Sequence, residues 1–153
     1  MPASPASPRS RFGIEFVLLA RRWRRALDQR LATVGLTDAT WAPLVHLSES
    51  GDGISQKDLA ALVGIDGSSL VRLLDLLVEQ GLVERRMDQN DRRARLIFLT
   101  KAGRAAVARI RRELSRGEAE MLVDLSDEDI AALLDAFARI DRRLRLGQEG
   151  QRP

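Results

Sequence analysis

Cysteine is absent from this 153-residue sequence. That single absence removes disulfides, thiolate metal sites, cysteine nucleophiles and thiol redox sensing. Histidine is nearly absent: His46 stands alone, so no histidine cluster can hold zinc. It reads as a packed or surface side chain. No apolar run approaches the roughly 18 residues that a membrane span needs. No apolar stretch follows a basic start, as a secretory signal requires, and a cytoplasmic protein is expected. There is no nucleophile–base pair, phosphate loop or metal set, so a small hydrolase or transferase has no support and no cofactor is implied.

What is present is 44% hydrophobic and 31% charged, the balance of a globular chain able to bury its own core. Net charge is only +3, with an isoelectric point near 10.4. Resolved along the chain, the charge is uneven. Residues 68–112 hold eleven basic and five acidic side chains, whereas 113–138 hold one basic and eight acidic. The middle is suited to face a polyanion and the later segment is not. Arginine outnumbers lysine by 23 to 2, a bias that a GC-rich genome also produces.

Residues 1–10 are rich in Pro, Ser and Ala and read as a disordered arm; residues 147–153 read as a flexible tail. From Phe12 to Thr33, Phe16, Leu19, Ala20, Trp23, Ala26, Leu27 and Leu31 recur at helical spacing, and Gly35 offers the stop. Trp23 and Trp41 read as core rings. A helix is expected after Thr37, although Pro43 requires it to begin later or to bend. Ser55-Gln56-Lys57-Asp58 has the form of a capping box opening a short helix. After Gly64, either Asp66 or Ser68 caps a helix over 68–80 that buries Leu70, Leu73, Leu74, Leu77 and Val78. Two strands, 82–86 and 95–99, flank the polar tip Met87–Arg93. Thr100 caps a helix to about Leu122. A last helix starts at Ser126–Asp129, whose acidic trio Asp127, Glu128 and Asp129 suits a helix N-terminus better than a metal.

Two short helices joined by a Gly-containing turn, then a hairpin, spell a winged helix-turn-helix in a mainly α (α+β) chain. The second helix of such a motif fits the major groove of double-stranded DNA. Ser68, Ser69 and Arg72 form its candidate reading face, with Asp75 at i+3 as a competing partner for Arg72. Ser55 and Gln56 suit phosphate contacts at a helix start. Arg85, Arg86, Asp91, Arg92, Arg93 and Arg95 carry the wing, whose tip can reach a minor groove. A winged helix used only for protein contact and a non-specific architectural DNA protein are the alternatives.

From about Arg11 to Leu146, the element order and the wing Asp91-Arg92-Arg93-Ala94-Arg95-Leu96-Ile97-Phe98-Leu99-Thr100 resemble the MarR/SlyA family of bacterial transcription regulators. Gly64–Arg72 and Leu36-Thr37 with Trp41 resemble its SlyA branch. The resemblance implies a homodimer on a pseudo-palindromic operator, built from a helical dimerisation domain (11–35 and 101–146) and a DNA-binding lobe (36–100). It implies that Arg93 enters the minor groove and that Asp91 orients it. It also implies a repressor released by a small aromatic or phenolic effector, held by Arg21, Arg24, Trp41 and Val45, where SlyA-like chains usually carry a histidine in place of Val45. Redox-sensing relatives use a cysteine that this chain lacks.

Overall fold

The computed structural model describes residues 7–35 and 40–149. Its chain divides into two compact units between Gly117 and Glu118. The first unit opens with α1, Pro8–Thr33. The Ser7 hydroxyl accepts from the Ser10 N–H at 3.3 Å, and Pro8 takes the first helical position. Residues 8–10 are therefore helical rather than part of a disordered arm. Ser-Pro supplies both a cap and a preset φ, a start signal that outweighs the missing apolar periodicity. The rest of that expected arm, 1–6, lies outside the described residues. Gly35, at φ 77°, ends the helix as expected.

Helix α2 runs Trp41–Ser50 and begins late enough to put Pro43 at its third position. A first-turn N–H has no intrahelical acceptor, so the proline is tolerated there. Leu36–Ala39, where an earlier start was expected, lie outside the described residues. Ile54–Ser55 form β1, a two-residue edge strand too short to show alternation in the sequence. Ser55 also caps α3, Gln56–Val63, accepting from the Asp58 N–H at 3.1 Å. Helix α4, Gly67–Glu79, buries Leu70, Leu74 and Leu77 completely. Two of the expected core positions are corrected here: Leu73 is half-buried and Val78 is 41% exposed. The buried stripe follows the 70–74–77 spacing, and both corrected positions sit off its centre line.

Strand β2, Val83–Met87, pairs antiparallel with β3, Arg95–Leu99, and β1 joins the other edge of β3. Pairing places Arg85 opposite Ile97 and Arg86 opposite Leu96. Strand β2 starts one residue after its expected Leu82, because the Leu82 N–H closes the end of α4 on the Leu77 carbonyl at 2.9 Å. Helix α5, Lys101–Met121, crosses the division between the units. The Thr100 hydroxyl accepts from the Gly103 N–H at 3.0 Å and donates to the Gly81 carbonyl at 2.6 Å, tying the helix start to the end of α4. The core of this unit gathers Leu27 and Leu31 with Leu44, Leu47, Leu59, Ile97, Val107 and Ile110.

The second unit holds α6, Asp127–Glu149. Ser126 and Asp129 cap each other reciprocally, each side chain accepting the other's N–H at 3.0–3.1 Å. The Ser126 N–H and hydroxyl hold the Asp129 carboxyl below its ordinary value. Gly147 to Glu149 continue the helix instead of opening a flexible tail, since a glycine stops a helix only where the chain turns left-handed. No side chain of α6 through Gly147 is buried. Leu133, Leu134, Phe137, Ile140 and Leu144 line it, all exposed. In the first unit, Phe12, Ile14, Phe16, Val17, Leu18 and Leu19 of α1 are exposed as well.

Candidate functional site

The start of α4 is organised by Asp66, which decides between the two expected caps. Its carboxylate accepts from the Ser69 N–H at 2.9 Å, from the Ser68 hydroxyl at 2.5 Å and from the Ser69 hydroxyl at 2.7 Å. The two hydroxyls, then the Ser69 N–H, hold the Asp66 carboxyl well below the usual carboxylate range. Both serine protons are thus committed inward, and the lone pairs that remain face solvent as acceptors. Ser68 and Ser69 therefore cap the helix indirectly while staying exposed.

Arg72 lies one turn further on, exposed, with no ion pair or hydrogen bond among the described residues. The competing partner at i+3 is taken. Asp75 pairs with Arg85 of β2 at 2.6 Å, and Arg85 also donates to the Val71 carbonyl at 3.3 Å. Arg85 is in effect a strut between β2 and α4, with its Nε buried and without a hydrogen bond. Arg72 and Arg85 border one open hollow together with Asp75, Leu76, Val78 and Glu79. Arg86 points to the other face of the hairpin, over the Phe98 ring at 4.2 Å, and pairs with Glu84. Ser55 and Gln56 are both half-buried at the start of α3.

The wing tip is folded by its own carboxylates. Asp88 accepts from the Asn90 N–H and Asp91 from the Arg93 N–H, each at 2.9 Å. Asp91 thus meets Arg93 at its backbone N–H. Arg92 and Arg93 project exposed from this hydrogen-bonded turn, and Arg95 donates back to the Arg92 carbonyl at 3.1 Å.

Of the expected effector residues, Arg24 and Trp41 come together. The Arg24 guanidinium lies 4.3 Å from the Trp41 ring centroid. Arg21 and Arg24 both line a groove of about 700 Å³ along α1 that ends at Val63 and Gly64. Val45 is half-buried on α2, and neither Val45 nor Trp41 lines the groove itself; Trp41 lies behind Arg24 and Asp28, which do. One member escaped the sequence reading: Asp28, which binds both Arg24 and the Trp41 indole. Its i+4 spacing from Arg24 was the available signal. Among the described residues, no group of three His, Cys, Asp or Glu side chains is placed to hold a metal. None of their helices is long and apolar enough to cross a membrane.

The sequence pattern of the MarR family matches residues 34–94. Among solved structures, the transcriptional regulator PA3341 is 36% identical, with 88% of this chain covering 98% of that one at a TM-score of 0.78. A MarR-family regulator from Rhodococcus sp. RHA1 is 26% identical, with 88% and 95% coverage and a TM-score of 0.77. A variant of MarR from E. coli complexed with operator DNA shares the fold, at 23% identity, 90% and 99% coverage and a TM-score of 0.73.

Proposed function

The chain belongs to the MarR family of DNA-binding transcription regulators, and from that premise we propose that it binds a pseudo-palindromic operator in a sequence-specific manner as a homodimer. The observation that carries the reading is the exposed Arg72 on α4, unpaired among the described residues, beside Ser68 and Ser69 and one element away from a hydrogen-bonded wing tip bearing Arg92 and Arg93. A helix start of this kind presents its side chains to base edges in the major groove. With their protons held by Asp66, the serine hydroxyls suit the amino groups of adenine or cytosine better than phosphate oxygens, which only accept. Arg93 and Arg92 suit a narrow minor groove. The operator complex of the E. coli variant supports double-stranded DNA as the partner.

The dimer reading rests on surface. Phe12 to Leu19 place large apolar side chains all round α1, and a helix apolar on every side is normally enclosed. α1, α5 and α6 together would form the dimerisation domain, with residues 36–100 as the DNA-binding lobe. A small aromatic or phenolic anion at Arg21, Arg24 and Trp41 would favour a lobe spacing unsuited to successive major grooves, about 34 Å apart, and so release a repressor. The role is binding rather than catalysis, in the cytoplasm.

Arg93→Ala tests the wing. Neutralising one phosphate-region contact is expected to weaken DNA binding and to lower the slope of log affinity against log salt by about one. Anisotropy titrations at several salt concentrations read both quantities. Unchanged affinity and slope would remove the wing from the interface.

A further inference from the structure

Asp28 sits where an anionic ligand would. Its Oδ1 accepts from the Trp41 indole N–H at 2.7 Å and from Arg24 Nε at 3.3 Å, while the Arg24 guanidinium covers the indole face. A flat aromatic surface, an N–H donor and a guanidinium make a carboxylate receptor. Here the receptor is filled by a carboxylate of the chain itself. Trp41 is only 9% exposed, but Arg24 and Asp28 remain 43% and 48% exposed, so solvent reaches the ion pair.

The pair opens on the groove along α1. Phe16, Val17, Ala20 and Val63 give that groove apolar walls, and Arg21 and Arg25 add two cations to Arg24 against the single acid Asp28. Surplus positive charge beside apolar surface selects an anion that carries an apolar body, and an aromatic carboxylate combines the two.

We propose that Asp28 sets the affinity and specificity of this site, as an internal carboxylate that competes with an external one for Arg24 and the Trp41 N–H. The proposal rests on the ligand-response reading above. Exchange of one carboxylate for another leaves neither Arg24 nor the indole N–H without a partner, so no uncompensated polar group is created. A neutral isostere cannot make the exchange. Loss of the Asp28 link would also remove one hydrogen bond between α1 and α2, because Asp28 stands on the first and Trp41 on the second.

The test is a benzoate titration of the full chain in its native assembly, with Trp23→Phe so that Trp41 is the fluorescent reporter. Asp28→Ala removes the competitor and is expected to bind benzoate at least about tenfold more tightly than the Asp28 protein, the scale of one charge-assisted hydrogen bond. Asp28→Asn keeps an acceptor for the indole without the charge and is expected to show an intermediate gain. Benzamide is expected to gain nothing in either variant. Equal benzoate affinity with and without Asp28, no gain in Asp28→Asn, or an equal gain for benzamide would overturn the proposal. Tighter benzoate binding in the variants with no release of DNA from the Asp28 protein would leave the role of Asp28 intact and remove the ligand-response reading instead.

Discussion

Gly103→Ala is expected to lower the melting temperature by roughly 6–12 °C, from about 3 kcal/mol of overpacking in a chain of this size. Gly103 is buried in the first turn of α5. A Cβ there would fall well inside van der Waals contact of the Leu82 carbonyl oxygen and lie 3.1 Å from Leu99 Cδ2. The clash is with backbone, which cannot rotate away as a side chain can. That same oxygen accepts from the Thr100 N–H at 3.1 Å, and Thr100 joins Gly81 to Gly103. Moving α5 outward to make room therefore strains the joint that fixes the wing to the end of α4. Gly67→Ala is the control, since a Cβ at Gly67 meets nothing within 4 Å and its φ is ordinary. Thermal unfolding by circular dichroism reads both variants, and a Gly103→Ala protein as stable as the parent would contradict the packing described.

The second large effect concerns function with the fold left alone. Arg72→Ala is expected to cost about tenfold or more in affinity for the preferred operator and to relax base preference at one position, the range for loss of a bidentate arginine–guanine contact. Arg72 makes no ion pair or hydrogen bond among the described residues, so the melting temperature should not move. That separates it from Arg85, whose guanidinium holds Asp75 and the Val71 carbonyl. Selection from a randomised duplex library with both proteins measures the base preference directly. An unchanged preference with reduced affinity would reassign Arg72 to the phosphate backbone.

Local pattern carried most of the architecture. The 70–74–77 spacing, the glycines after α3 and α4, and the polar tip between two apolar strands are all signals within a few residues of the element they specify. What escaped depends on partners distant in the chain. Strand β1 exists because Ile54 and Ser55 meet Ile97 and Leu96, more than forty residues away, and two residues alone show no alternation. Arg85 looked like one more cation on a basic wing. Its pairing with Asp75 arises only when β2 folds back on α4. The start of α1 is an exception, since a local signal, the Ser7-Pro8 cap, sets it ahead of the apolar periodicity. At the candidate sites, residue types were legible but hydrogen-bond direction was not. The Ser68 and Ser69 protons turn inward to Asp66, and Asp91, expected to orient Arg93, meets it at the backbone N–H; neither direction is written in the residue types.

Fluorescence anisotropy with duplex from the chain's own upstream region, titrated at two salt concentrations against scrambled competitor, tests the central claim most directly. A sequence-specific regulator retains its affinity under competition and loses it steeply with salt. Equal binding to the upstream and scrambled duplexes, or binding to neither, would contradict the account.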